Sequence, residues 1–212
     1  YLHSNLVPDG YTMDLAPEVQ AKLATQWSVF TQQVRPDFEA LVAAGRIGAW
    51  GITGVALPEL VIAALTDSPA PAAVQCIANL LDSAGGIYRH DAPFRPRETI
   101  AAAVDAGVGV LGIRAVQAGA LTDGIDRELP DDDAEMVDFR RAEPFRAIAR
   151  DVGESPAALA HRYALSMSGV STVILGVKNR TELEECVAAA HRGTLEPALV
   201  ARIDASVSGE SA

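Results

Sequence analysis

Short, uninterrupted apolar segments alternate with longer helical patterns along this chain, and this alternation constrains the fold more than any other feature. The segments that resemble strands are aliphatic and rich in β-branched residues, and they span residues 50–53, 73–78, 108–113 and 172–175. Continuous apolarity is typical of strands covered on both faces, as in parallel sheets. Tyr1 and Leu2 fit the end of one more strand. The pattern therefore predicts an α/β fold built on a parallel sheet.

Apolar residues recur at helical spacing between these segments, over residues 18–44, 57–65, 97–106, 144–151, 156–167, 182–190 and 198–207. The first stretch is long, and Arg35-Pro36 predicts a break in it because proline cannot donate a helical hydrogen bond. Ser155 before Pro156 predicts a helix start with a hydroxyl cap. Gly45 and Gly107 fall just past predicted helix ends, where a left-handed residue is common.

Residues 123–143 differ from the rest of the chain because they are acidic, short of aliphatic residues and without clear periodicity. We expect a mobile loop on the rim of the fold, a position where function often resides. We expect residues 1–207 to form a single domain and residues 208–212 to be frayed. The chain begins with Tyr1 rather than Met, so we expect further residues to precede it in the natural protein.

The composition argues against several classes of partner. A formal net charge of -11 repels nucleic acid and anionic lipid, and no dense Lys/Arg cluster offsets it locally. There is no run of about 18 apolar residues and no secretion signal, so we expect a cytoplasmic protein. Cys76 and Cys186 lack CxxC spacing, which favours free thiols in a reducing compartment, with one disulfide as the alternative. No metal-ligand motif is present.

Several separate motifs occur in the order in which aldo/keto reductases carry them. They are Leu2-His3, Gly45-Arg46-Ile47 with Gly51-Ile52-Thr53-Gly54, Val74-Gln75-Cys76, Gly107-Val108-Gly109 with Arg114, Ser155-Pro156 with Tyr163, and Leu175-Gly176-Val177-Lys178-Asn179. The sequence therefore resembles the carboxyl-terminal part of that family's (β/α)8 TIM barrel, with another TIM-barrel lineage as the alternative. A complete barrel needs about 250 residues, so the resemblance implies a partial barrel of the last five βα units. The opening residues look closer to bacterial, aldose-dehydrogenase-like members.

The resemblance implies an NADP-dependent oxidoreductase that interconverts a carbonyl compound or sugar and an alcohol by hydride transfer. His3 matches the catalytic histidine that orients the substrate carbonyl, a role that a neutral imidazole suits. The alternative is a strand-end histidine with a satisfied hydrogen bond. The family's tyrosine acid, lysine and aspartate would precede Tyr1, and none can be assigned here. If they are absent, the chain is a barrel remnant that binds nucleotide, forms a homo-oligomer or complements another chain without redox turnover.

The resemblance also implies a cofactor site in two parts. Thr53, Gly54 and Gln75 match the residues that hold the nicotinamide carboxamide, although Gly54 replaces the usual asparagine and Gln75 has a polar barrel-lining role as its alternative. Arg114 follows the next strand, where it would contact either a phosphate or the acidic segment.

The second part of this site lies in the turn before the helix that is predicted over residues 182–190. The matching residues are Gly176, Lys178, Asn179 and Arg180, with Glu185 at a position that contacts the adenine amino group. Two cations at a helix N-terminus favour the 2'-phosphate of NADP over NAD. A solvated basic turn is the alternative, and Cys186 replaces the family's usual asparagine.

Overall fold

The computed structural model describes residues 1–13, 15–90 and 92–207. The chain divides into two compact units, and the first comprises Tyr1–Cys76 and Ile87–Leu111. The second comprises Ile77–Gly86 and Gly112–Ala212. The chain passes from one unit to the other at three points, and the single domain over residues 1–207 stays a prediction. The tail predicted at 208–212 lies outside the described residues.

The first unit alternates strands and helices as predicted. Its elements are β1 (Asn5–Val7), α1 (Pro17–Leu23), β2 (Ala24–Gln26), α2 (Trp27–Val29), a π-helical turn (Phe30–Val34), α3 (Arg35–Ala43), β3 (Gly51–Thr53), α4 (Pro58–Thr66), β4 (Ala73–Ile77), α5 (Pro96–Asp105) and β5 (Gly109–Ile113). The last residues of β4 and β5 belong to the second unit. Proline opens α1, α4 and α5, where its missing N–H costs no helical hydrogen bond.

Parallel pairing organises the strands of the first unit. β1 pairs with β2, and β3 pairs with β4, both in parallel. β5 lies beside β4, with Gly109 N donating to Ala72 O at 3.0 Å. Ile52, Val74 and Val110 are fully buried on these strands, as the continuous apolar segments predicted.

The predicted helix over residues 18–44 differs from the structure. β2 interrupts it at Ala24–Gln26, because these residues pair with β1 and Thr25 shares a 2.6 Å hydroxyl contact with Ser4. The predicted break at Arg35-Pro36 is wrong. Pro36 lies in the first turn of α3, directly after the π-helical turn, so the helical path continues through it.

The second unit is mostly helical. Its elements are α6 (Ala134–Arg141), α7 (Glu143–Asp151), α8 (Pro156–Ser166), β6 (Thr172–Val173), α9 (Arg180–Arg192) and α10 (Pro197–Val207). β6 follows β5 in the order of strands, with Ile174 N donating to Gly112 O at 2.8 Å. Phe145, Leu159 and Tyr163 form part of its core and are fully buried. The predicted cap is confirmed, since Ser155 Oγ accepts from Ala158 N at 3.1 Å.

The acidic segment at 123–143 is not wholly a loop, because α6 occupies its second half. Asp133 caps this helix by accepting from Glu135 N at 2.9 Å. The sequence pattern did not predict this helix, because its buried face carries the carboxylate of Asp138 rather than a stripe of aliphatic residues. Mobility of residues 123–133 stays a prediction.

Candidate functional site

His3, Thr53 and Gln75 follow one another across neighbouring parallel strands in the first unit. Leu2 forms a parallel bridge with Ile52, and Thr53 N donates to Leu2 O at 3.1 Å. Thr53, the last residue of β3, is in register with Gln75 in the middle of β4. The structure therefore brings these three predicted site residues together.

The three side chains differ in exposure. Thr53 is buried, Gln75 is half-buried and His3 is exposed. Within the described residues, the His3 ring has no hydrogen-bond partner, so the satisfied strand-end histidine is not what the structure shows there. An exposed imidazole at a strand end is free to meet a small molecule.

Gly54 has almost no room for a side chain. Its N–H donates to Gln75 O at 2.8 Å. A Cβ atom on Gly54 would lie 3.0 Å from that same oxygen and 3.1 Å from Cys76 Sγ. Glycine at this position therefore follows from the close approach of β4, and Gly54 offers a ligand only its backbone.

Arg114, at the end of β5, contacts the acidic segment. Its Nη2 donates to Glu135 Oε1 at 3.0 Å, and its Nε donates to Gln117 Oε1 at 2.9 Å. The Arg114 and Glu135 side chains are 18% and 12% exposed. The sequence left two roles open for Arg114. The structure shows contact with the acidic segment, and contact with a phosphate stays a prediction.

A buried polar network surrounds this ion pair, and sequence analysis missed it. Gln117 is fully buried, and its Nε2 donates to Asp138 Oδ2 at 2.8 Å and to Ser83 Oγ at 3.1 Å. Asn79 Nδ2 donates to Ser83 O at 2.9 Å. The available signal was the three-residue spacing of Glu135 and Asp138, which places both carboxylates on one helix face.

A cavity of about 480 Å³ lies wholly within the second unit. Four segments line it: residues 116–122 after β5, the acidic segment, the start of α8, and the turn that leads into α9 with the first turns of that helix. Its charged and titratable residues are Asp123, Asp126, Arg127, His161, Lys178, Glu182, Glu185 and Cys186. The volume lies in the range of sites for small ligands, about 300–1,000 Å³.

The predicted anion turn uses some of its own donors internally. Asn179 caps α9 by accepting from Glu182 N at 3.0 Å. Glu182 Oε2 accepts from Lys178 N at 2.8 Å. These two backbone amides are therefore occupied. Gly176, Val177 and Lys178 are the residues of the turn that line the cavity.

The two predicted cations, Lys178 and Arg180, lie in different surroundings. Lys178 lines the cavity and pairs with Asp126, which holds the pKa of Lys178 above its ordinary value and that of Asp126 below its own. Arg180 is 90% exposed and pairs with Glu184 one helical turn further on. Because α9 begins at Arg180, its side chain follows the outer helix face, and Arg180 is not among the cavity's lining residues.

Glu185 lies on the cavity wall and is held by Ser155. The Ser155 hydroxyl donates to Glu185 Oε1 and also caps α8. Beside them, His161 Nε2 lies 3.2 Å from Cys186 Sγ. Burial lowers the pKa of His161, and burial with the nearby Glu185 raises that of Cys186. Both groups of this pair are therefore neutral near pH 7.

The family model for aldo/keto reductases matches residues 15–208. The chain belongs to the aldo/keto reductase family. Among solved structures, aldo-keto reductase AKR11C1 from Bacillus halodurans in its holo form has a TM-score of 0.62 and 20% sequence identity to this chain. The match covers 83% of this chain and 56% of that chain. A comparison with curated proteins found no match.

These comparisons confirm two predictions from the sequence, the family and the α/β fold with a parallel sheet. This aldo/keto reductase chain spans about half of the solved reductase, 56% of its length. In the part of the chain that the structure describes, no cluster of three metal-binding side chains occurs. None of the described helices combines the length and apolarity that a membrane span requires.

The cavity of this aldo/keto reductase chain fits the adenosine end of a nicotinamide cofactor. Glu185 and His161 both line this cavity, and His161 Nδ1 is buried without a partner in the described residues. Lys178 supplies a cation that an exposed ion pair holds only weakly.

Proposed function

We propose that this chain is part of an oxidoreductase that interconverts a carbonyl compound (an aldehyde, a ketone or an aldose) and an alcohol, with NADP as its cofactor. Membership of the family supports this class of reaction. The observation that carries the proposal is the cavity lined by both Lys178 and Glu185. When bound, the cofactor supplies the hydride that protein side chains cannot provide.

In this proposal, the reactive end of the cofactor and the substrate lie against the residues that match the family's nicotinamide and carbonyl positions. The Gln75 side-chain amide both donates to and accepts from the nicotinamide carboxamide, with Thr53 and the backbone of Gly54 beside it. His3 donates a hydrogen bond to the carbonyl oxygen and orients it. Fixed orientation of this kind supplies much of the rate of a hydride transfer.

In this proposal, the adenosine end of the cofactor lies in the cavity that Lys178 and Glu185 line. Lys178 exchanges Asp126 for the 2'-phosphate, since an exposed ion pair contributes little and a phosphate dianion is the stronger partner. Glu185 accepts from the adenine amino group. Gly176 and Asn179 shape the turn between them.

The test is a titration of NADPH and NADH fluorescence with the wild type and with Lys178→Ala. We expect NADPH affinity to fall about tenfold, the effect of one charge-assisted contact, and NADH affinity to stay within about twofold. Arg202→Ala is the matched control, because Arg202 is an exposed cation on α10 that pairs with Asp151 outside the cavity. Equal affinities of Lys178→Ala and wild type for NADPH would remove Lys178 from the site.

A second candidate is nucleotide binding without redox turnover. The cavity lined by Lys178 and Glu185 serves this candidate equally, because nucleotide binding needs no catalytic acid. The two candidates separate in one assay, NADPH oxidation with a panel of small aldehydes and aldoses. Tight NADPH binding with no oxidation supports the second candidate for this chain.

A further inference from the structure

Residues 114–119, which lead from β5 to the cavity of the second unit, have a strained backbone. Arg114, Gln117 and Ala118 are not glycines, but their φ angles are 56°, 45° and 51°. Residues other than glycine rarely adopt this left-handed conformation, and it persists only where the surrounding structure enforces it. Residues 114–119 are therefore held in place by contacts that outweigh the strain.

The neighbours of Gln117 line the cavity, but Gln117 does not. Val116, Ala118 and Gly119 are lining residues. Gln117 is instead fully buried, and its side chain reaches Asp138 on α6 and Ser83 in the turn after β4. The contacts of this one side chain therefore fix the position of the backbone that forms one wall of the cavity.

The side-chain amide of Gln117 uses all four of its hydrogen-bonding positions. Its Oε1 accepts from Arg114 Nε at 2.9 Å and from Asn79 Nδ2 at 3.4 Å. Its Nε2 donates to Asp138 Oδ2 at 2.8 Å and to Ser83 Oγ at 3.1 Å. An amide offers two acceptor and two donor positions, whereas a carboxylate only accepts. Glutamine therefore matches all four partners, and glutamate does not.

Asp138 is the partner that ties residues 114–119 to α6. It is 3% exposed, and its other oxygen accepts from Arg141 Nη1 at 3.0 Å. A second carboxylate in place of the Gln117 amide would face that of Asp138, and two carboxylates at such a distance repel each other. The contact between Gln117 and Asp138 therefore depends on the charge of both side chains.

We infer that Gln117 is a positioning residue that, together with Asp138, holds residues 114–119 in the strained conformation that forms one wall of the cofactor cavity. This inference rests on the proposed function, in which that cavity binds the adenosine end of NADP. Without the contact, only a fraction of the molecules has this wall in place, and the apparent affinity for the cofactor falls by that fraction. Gln117 acts on binding without touching the cofactor.

The experiment measures NADPH affinity by fluorescence titration in Gln117→Glu, in Asp138→Asn and in the double variant. We expect Gln117→Glu to bind NADPH about tenfold or more weakly, because its carboxylate faces that of Asp138. Asp138→Asn should stay within about threefold of wild type, since its amide oxygen still accepts from Gln117. The double variant should return to within about threefold of wild type, because its new amide donates to its new carboxylate.

Tyr163→Phe is the matched control for a loss of stability alone. The Tyr163 hydroxyl donates to Asp204 in the same unit, and neither residue is among those that line the cavity. We expect this variant to unfold at a lower urea concentration and to keep its affinity for NADPH within about twofold of wild type. A residue that only stabilises the fold behaves in this way.

Far-UV circular dichroism verifies that each variant is folded. If Gln117→Glu is not, Ser83→Ala takes its place, because it removes one of the two acceptors of Gln117 Nε2 and leaves the charges unchanged. We expect this milder variant to bind NADPH about threefold more weakly than wild type.

The outcomes separate this inference from the function on which it rests. If wild type binds NADPH and the Gln117 and Ser83 variants bind it equally well, the inference fails and the proposed function stands. If Gln117→Glu and the double variant lose affinity to the same degree, the contact with Asp138 is not the cause, and the inference fails as well. If wild type does not bind NADPH, both fail together.

Discussion

Gly54 shows how one residue is dictated by its surroundings. Substituting alanine puts a Cβ atom 3.0 Å from Gln75 O, 3.1 Å from Cys76 Sγ and 3.2 Å from Val74 Cγ2. We expect Gly54→Ala to lower the free energy of unfolding by about 1–3 kcal/mol, because β4 must move away. The measurement is urea unfolding followed by tryptophan fluorescence.

The control for this prediction is Gly48→Ala, since no atom lies within 4 Å of a Cβ atom at Gly48. That variant should match or slightly exceed the stability of the wild type. Equal stability of Gly54→Ala and wild type would show that β4 yields easily at this point. The family's usual asparagine would then be compatible with the fold.

The backbone fixes which of the predicted site residues are neighbours, while their roles stay predictions. His3, Thr53 and Gln75 come together because they lie on or beside parallel strands that pair with one another. Side-chain direction was harder to predict. Lys178 and Arg180 are two residues apart in sequence, but a helix begins between them and sends Arg180 along its outer face.

At the scale of elements, α6 is anchored by charge rather than by an apolar face. Glu135 accepts from Arg114 at 3.0 Å, and both side chains are mostly buried. We expect Glu135→Gln to lower the free energy of unfolding by about 2–3 kcal/mol, because it leaves the Arg114 guanidinium without its counter-charge. Chemical denaturation gives this value, and faster amide hydrogen exchange in α6 should accompany it.

Glu184→Gln is the matched comparison for Glu135→Gln. Glu184 also pairs with an arginine, but that arginine, Arg180, is 90% exposed, so the loss should be too small to measure. If both variants have wild-type stability, packing rather than the ion pair holds α6 in place.

The strength of the apolar signal decided which elements could be predicted. β4 and β5 begin and end within one residue of their predicted bounds, since both are continuous aliphatic segments. β2 was missed because a helical pattern runs through it, and only pairing with β1 makes it a strand. α6 was missed because its buried face is polar.

For the whole molecule, the direction of the pKa shifts predicts how stability responds to acid. Burial depresses the pKa of His161 below its ordinary value of 6.5. Below that pH, the histidine is therefore protonated in the unfolded chain before it is protonated in the folded chain. We expect the free energy of unfolding to begin to fall as the pH drops below about 6.5. The readout is the urea midpoint measured from pH 8 to pH 4.

The carboxylates add a second stage to this acid response. Partner arginines and lysines depress the pKa values of Asp67, Asp126 and Glu143, so their contribution is present at neutral pH and is lost as they become protonated. The His161→Leu variant should lack the first stage and retain the second. A wild-type curve with the same shape as that of His161→Leu would contradict the assignment to His161.

The sequence by itself determined the family, the parallel α/β architecture and the strands on or beside which His3, Thr53 and Gln75 lie. It did so because a strand that is buried on both faces is apolar along its whole length, and this pattern is visible in the sequence. Only the tertiary structure decided that Arg114 pairs with Glu135, that Arg180 faces away from the cavity, and that His161 meets Cys186. These contacts join residues far apart in the chain through side-chain direction, which local sequence patterns do not encode.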